Sequence, residues 1–140
     1  MAATSDDELD AFLESETIAV IGCSTTPGKP AHDVPAYLQT QGYRVIPINP
    51  FAKEILGERA YDSLAAVEPT VDLVDVFRPS AEIPDVLAAV KKRHADRGDA
   101  SRVWIQLGIS HDEAVQAAVE DGLAVVQDRC LKVEHARLRG

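Results

Sequence analysis

The sequence predicts one α/β domain over residues 1–140, built on a doubly wound five-stranded parallel sheet with helices on both faces. Two observations carry this. Short apolar runs of strand length alternate with helical apolar patterns along the chain. The first run, Thr17 to Ile21, stops at Gly22 and enters Cys23-Ser24-Thr25-Thr26-Pro27-Gly28-Lys29-Pro30, the composition of an anion-binding turn at a helix mouth.

The elements follow in order. A leading helix lies within residues 1–14, where Ser5 and Glu8 form a capping box and Leu9, Phe12 and Leu13 make one apolar face. Strand one is Thr17 to Ile21. After the loop a helix runs from about Ala31 to Gln41, stops at Gly42, and holds Pro35 in its first turns. Strand two is Arg44 to Ile48, with Pro47 at its end, because a central strand cannot spare a donor. A loop containing Gly57 joins Phe51 to Tyr61, and residues Asp62 to Val67 suit one short helix. Strand three is Val71 to Val76. The next helix shows Ile83, Val86, Leu87 and Val90 at i, i+3, i+4 and i+7 spacing. Strand four is Val103 to Leu107. A second capping box, Ser110 with Glu113, opens an alanine-rich helix that ends at Gly122. Strand five is Leu123 to Val126, and residues 129–140 form a C-terminal helix with Leu131 and Leu138 inward. With right-handed crossovers the expected strand order is 3-2-1-4-5, which puts the switch point between strands one and four. Only the first and last few residues invite disorder.

Composition excludes several roles. A chain of this length buries roughly two thirds of the surface it exposes when unfolded, so it needs no disulfide staple. Fourteen basic and 23 acidic side chains give a net charge of −9, and the basic ones are not clustered, so nucleic acid and anionic membranes are excluded as partners. The same acidity suits a salt-rich cytoplasm, the habitat of a halophile; low solubility in molar salt would contradict that. Cys23 and Cys130 form no C-x-x-C pair, and there is no signal peptide or membrane-length apolar run, so a cytoplasmic location is expected. The four histidines are scattered, His111-Asp112-Glu113 lacks a zincin's second histidine, and no metal site is expected.

The loop is not a dinucleotide fingerprint. That motif requires G-x-G-x-x-G and an acid at the end of strand two, where this chain has Asn49-Pro50. It is not a Walker loop either, since Pro30 follows Gly28-Lys29 where Ser or Thr should ligate magnesium. In such sheets ligands lie beyond the carboxyl ends of the strands. Those ends carry Gly22-Cys23-Ser24-Thr25, Asn49-Pro50, Phe77-Arg78-Pro79, Gln106-Leu107-Gly108 and Gln127-Asp128-Arg129-Cys130. Turn chemistry alone accounts for some of these glycines and prolines.

Six segments taken together resemble the single-domain CoA-binding proteins: the Ile21-Gly22-Cys23-Ser24 loop, residues 42–50, Ile55-Leu56-Gly57-Glu58, Val76-Phe77-Arg78-Pro79, Trp104-Ile105-Gln106-Leu107-Gly108 and Asp128-Arg129-Cys130. The resemblance spans about residues 15–135. It implies a Rossmann-like nucleotide-binding sheet, related to the CoA-binding domain of the succinyl-CoA synthetase alpha subunit, that holds coenzyme A or an acyl-CoA. By that resemblance Ser24, Thr25, Thr26 and Pro27 meet the pyrophosphate in the binding loop that Gly22 and Cys23 open; Lys29 either contacts a phosphate or is an exposed loop lysine. Asn49 and Pro50 flank the adenosine, Lys53 meets a ribose phosphate, and Gln106 and Gly108 line the pantetheine path. A carboxylate at Asn49 would repel the 3′-phosphate of CoA. The synthetase needs a phosphorylated histidine from a further domain, so a thiokinase reaction is not implied.

Alternatives stay open for single residues. Arg78, with Phe77 at the end of strand three, either contacts ligand or pairs with Asp75 or Asp128. Asp72 and Asp75 lie in an apolar strand and call for structural partners. A helix N-terminus would lower the pKa of Cys23, while burial would leave it inert, the commoner state of a free cysteine. Trp104 belongs to the core. The reading is a binding or regulatory module with no catalytic constellation. The alternatives are an enzyme acting on a CoA thioester or CoA disulfide through Cys23 or Cys130, or an NAD(P)-binding protein. A homodimer or a partner enzyme is compatible with the sequence.

Overall fold

The computed structural model describes residues 3–140; Met1 and Ala2, the start of the segment expected to be disordered, lie outside them. Helix α1 (Asp6–Leu13) begins at the Ser5–Glu8 capping box and buries Leu9, Phe12 and Leu13. Strand β1 (Thr17–Ile21) leads through the glycine-bearing loop into α2 (Pro30–Thr40), with Pro30 in its first turn, where a missing N–H costs nothing. Strand β2 (Arg44–Ile48) is followed by a two-stranded antiparallel hairpin, β3 (Glu54–Ile55) and β4 (Glu58–Arg59), where only a loop was expected. A single 3-10 turn, Leu64–Ala66, replaces the short helix. Then come β5 (Leu73–Val76), α3 (Ile83–Arg97), β6 (Arg102–Ile105), α4 (Asp112–Glu120), β7 (Ala124–Val126) and α5 (Leu131–Arg139).

The strand order corrects the expectation. The parallel sheet runs β2-β1-β5-β6-β7, so the third strand lies beside β1 and not outside β2. The connection between β2 and β5 carries no α-helix and does not leave the outer edge of β2 free for another strand. It instead folds over the outer edge of β2, where Tyr61 donates its N–H to the Pro47 carbonyl and accepts from the Asn49 N–H. β2, with Pro47 and an exposed Arg44, suits an edge; β5, buried at every residue, suits the centre. The switch point therefore falls between β1 and β5.

Two apolar layers enclose the sheet. Alternation sends Ala19, Val74, Val76, Val103 and Ile105 toward α3 and α4, and Ile18, Val20, Leu73 and Trp104 toward α1, α2 and α5. Trp104 is fully buried, meets Phe12 edge-on, and donates its indole N–H to the Arg129 carbonyl. Ala3 donates its N–H to the outward carbonyl of Val125 on the other edge strand. Helix α4 is capped differently from the expected Ser110–Glu113 box: the N-cap is His111, whose Nδ1 accepts from the Ala114 N–H.

Arg93, on α3, is buried and holds the β2–β5 connection in place. It donates to the carbonyls of Leu64, Val67 and Pro69 and pairs with Asp99 at 2.9 Å. Asp99 in turn accepts from the Val71 N–H, so one ion pair fixes both ends of the segment leading into β5. Removing Arg93 leaves the buried Asp99 carboxylate without its ion partner and the Pro69 carbonyl without its donor. Arg93→Ala is expected to cost about 3–5 kcal/mol, read as a lower urea midpoint.

Candidate functional site

The loop after β1 is shaped by its backbone. Gly22 has φ +83°, and a Cβ placed on it would stand 2.5 Å from the Phe77 carbonyl oxygen and 3.0 Å from Arg78 Cδ. The Gly22 N–H donates to the Ile48 carbonyl and the Phe77 N–H to the Ile21 carbonyl, which ties the ends of β1, β2 and β5 together. Further on, the loop closes on itself. The Ser24 N–H donates to the Ala31 carbonyl, the Thr26 N–H to Ser24 Oγ, and the Gly28 N–H to Asp33 Oδ1. Asn49 clamps it from outside, donating from Nδ2 to the Cys23 carbonyl at 2.9 Å while its Oδ1 accepts from the Phe51 N–H. Among the described residues no protein acceptor takes the N–H of Cys23 or Thr25.

Above this loop opens a cavity of about 620 Å³ at the carboxyl ends of β1, β2 and β5. Ile21, Ile48, Leu64, Val86 and Ala89 give it an apolar floor, while Lys29, Arg78, Asp62, Glu82 and Asp85 bring charge to its walls. Of the expected site residues, Gly22, Cys23, Ser24, Lys29, Asn49, Pro50 and Arg78 line it together. Thr25, Thr26 and Pro27 are exposed on the loop beside it, and Lys53 is exposed at the start of the hairpin. Phe77 is half-buried against the α1, α2 and α5 layer. Gln106 and Gly108 lie one strand further along the edge: Gln106 is buried with Oε1 accepting from the Leu131 N–H, and the Gly108 N–H donates to Asp128 Oδ1. The corrected strand order thus places Phe77 and Arg78 across the switch point from the loop.

Sequence reasoning passed over Phe51, Asp62, Glu82, Asp85 and the floor residues. Phe51 is 96% exposed beside the cavity, and the available signal was a large aromatic directly after a turn proline, outside any apolar period. Val86, expected on the core face of α3, packs half-buried against the core cluster and also lines the cavity floor.

The electrostatics correct two expectations and decide between the two readings of Cys23. Arg78 pairs neither with Asp75 nor with Asp128; it binds Glu82 one turn away, at 2.8 Å. Cys23 is not activated. Burial, helped by the nearby Asp75 carboxyl, pushes its thiol up to about 12 against the opposing effect of the Ser24 N–H, so it stays protonated at neutral pH. Asp75 has no structural partner: it is fully buried, and neither carboxyl oxygen finds a hydrogen bond. Burial holds it well above the ordinary carboxylate value. Asp72 does find partners, with Oδ2 accepting from the N–H groups of Glu16 and Thr17. At the mouth of α2 the Gly28 N–H, and then His32, hold Asp33 below its usual range. Cys130 is a half-buried free thiol at the N-cap of α5, outside this cavity.

Residues 16–136 match the sequence profile of the CoA binding domain. The chain belongs to that family. A Bacillus subtilis protein, the uncharacterized YneT, is 37% identical over 137 residues, which cover 97% of this chain and 98% of its own. A Thermus thermophilus protein of solved structure, cell-free ID.343, superposes with a TM-score of 0.88 at 46% identity, covering 96% of this chain and 99% of that one. An Archaeoglobus fulgidus acetate–CoA ligase (ADP-forming) II is 31% identical over 111 residues. These make up 78% of this chain and 16% of the ligase.

Two outcomes follow from this geometry. Gly22→Ala places a methyl against the Phe77 carbonyl in a left-handed conformation and is expected to cost at least about 2 kcal/mol in denaturant unfolding. For Asp75, the folded state keeps a proton that the unfolded chain releases near 3.8. Its contribution is therefore fully present below that pH and is lost as pH rises toward the raised pKa of the folded form. Asp75→Val removes this loss, so its stability advantage over the natural protein should widen as unfolding is measured from about pH 4 to pH 8.

Proposed function

We propose that this domain binds coenzyme A or an acyl-CoA as a binding or regulatory module, with the diphosphate at the loop of residues 22–29. The observation that carries this reading is the loop itself. It presents unpartnered backbone N–H groups, the Ser24 hydroxyl and Lys29 at a helix mouth that opens onto a cavity large enough for a nucleotide. The family relationship supports coenzyme A as the nucleotide. The apolar floor of Ile48, Leu64 and Val86, with Phe51 and Pro50 above it, suits the adenosine. Lys53, at the start of the adjoining hairpin, is assigned to the 3′-phosphate, and Thr25, Thr26 and Pro27 to the outer rim of the diphosphate site. The pantetheine arm then leaves past Phe77 and Arg78 toward Gly108.

Chemistry by the chain itself is not part of the proposal. A Cys23 thiol pushed up to about 12 is a poor nucleophile. The Archaeoglobus relative is named a ligase, but this chain corresponds to 16% of it, and the ligase's turnover is not assigned to this domain. NAD fits less well, because the side chain at Asn49 is spent on the Cys23 carbonyl and the Phe51 N–H, and no carboxylate stands there for a ribose.

Thermal unfolding with CoA, acetyl-CoA, NAD and NADP, each added separately, tests this. Ligand at 100 times its dissociation constant adds about 2.7 kcal/mol, a shift of several degrees. The expected result is a shift with CoA or acetyl-CoA. A shift with NADP but not with CoA would overturn the assignment. Lys29→Ala should weaken CoA binding by roughly tenfold in titration calorimetry, the loss of one charge-assisted phosphate contact.

A further inference from the structure

Asp75 is left without a role by everything above. Its carboxyl group is fully buried, neither oxygen has a hydrogen-bond partner, and its position in β5 is the one next to Val76 and the Phe77–Gly22 contact. In register it stands between Val20 on β1 and Trp104 on β6, on the sheet face that α1, α2 and α5 cover. Cys23, the first loop residue after Gly22, is buried in the same layer and feels the Asp75 charge. An ionisable side chain thus sits in an apolar layer, in register with Val20, two residues before Gly22 opens the loop. An apolar residue there would be more stable, which leaves a functional reason to be sought.

Building on the assignment of a phosphate-bearing ligand to the loop, we infer that Asp75 is a proton-operated switch for that site. When neutral, it leaves the field at the loop to the backbone N–H groups and Lys29. When ionised, it sets a poorly screened negative charge beneath the ligand's phosphates, and affinity falls. Binding and protonation are then linked in both directions, so the ligand draws a proton onto Asp75 as it binds.

The surroundings confine this linkage to few groups. Cys23 is the titratable side chain of the loop that the charge reaches. At the mouth of α2, His32 and Asp33 are hydrogen bonded to each other, and Asp33 also takes the Gly28 N–H. On α5, Glu134 is held by Arg129 and Arg137, and His135 by the Tyr37 hydroxyl. α1 turns Leu9, Phe12 and Leu13 inward. The Trp104 indole N–H is committed to Arg129 and cannot neutralise Asp75.

The test is CoA affinity from pH 5 to pH 9 by titration calorimetry for the natural protein, Asp75→Asn and Asp75→Val, with proton uptake read in two buffers of different ionisation enthalpy. The isosteric amide and the apolar valine guard against a folding defect in either one. The expected result is an affinity that falls with pH roughly tenfold further in the natural protein than in either variant, with proton uptake that the variants lack. Parallel profiles in all three proteins, with CoA bound, would overturn the switch and leave the ligand assignment intact. Absence of CoA binding by the natural protein at every pH would overturn the ligand assignment and the switch with it.

Discussion

The carboxyl edge of the sheet depends on one close approach, the backbone of β5 lying against Gly22 with no room for a side chain between them. Because β5 can come this near, its last residues take the place across from the loop, and β1, β2 and β5 end at a common point. The loop then leaves that point over β1 and enters α2, and Asn49 reaches across from β2 to hold it. Cavity, loop and the Phe77–Arg78 corner are consequences of the same contact. A bulkier residue at this position would separate the strand ends and dissolve the site as a unit.

An acidic protein that offers a site to an anion must manage its own carboxyl groups. Three solutions are visible around the loop. Asp33 is turned into a staple, accepting from the Gly28 N–H at the positive end of α2. Glu82 is tied to Arg78, which lowers the charge of both at the cavity wall. Asp75 is buried deeply enough to favour its neutral form. The same need explains an amide at position 49, where the side chain binds the loop without adding charge.

Most of the fold was legible in the sequence because its signals are local. The Ser5 capping box, the glycine stops and the i, i+3, i+4 pattern of Ile83, Leu87 and Val90 each report on a few neighbouring residues. Strand order is not local, and there the reading went astray. Pro47 already marked strand two as an edge, but no single residue states which strands are neighbours, and the burial of β5 at every residue, Asp75 included, belongs to the fold. The error carried into the site, since Gln106 and Gly108 were placed across the switch point that Phe77 and Arg78 occupy. The loop stood out because glycine, hydroxyl side chains, proline and lysine gather at the end of one apolar strand, and Gly22, Cys23, Ser24 and Lys29 do line the cavity. The cavity walls on α3 were missed because Val86 obeys the same periodicity as the core, and Glu82 and Asp85 look like any solvated helix face. Asp75 was noticed as out of place, yet its lack of a partner is a fact of three dimensions.

Both borders of the sheet are closed off. On one side β2 lacks a donor at Pro47 and is overlaid by Tyr61; on the other, Ala3 takes the outward carbonyl of the three-residue β7. A neighbouring polypeptide therefore finds little ladder to extend. Any association of this domain, with its own copies or with a larger enzyme, must use helix surfaces or the loops at the strand ends. Stacking strand upon strand into a continuous sheet is closed to it, which also protects a crowded acidic protein from fibrous aggregation.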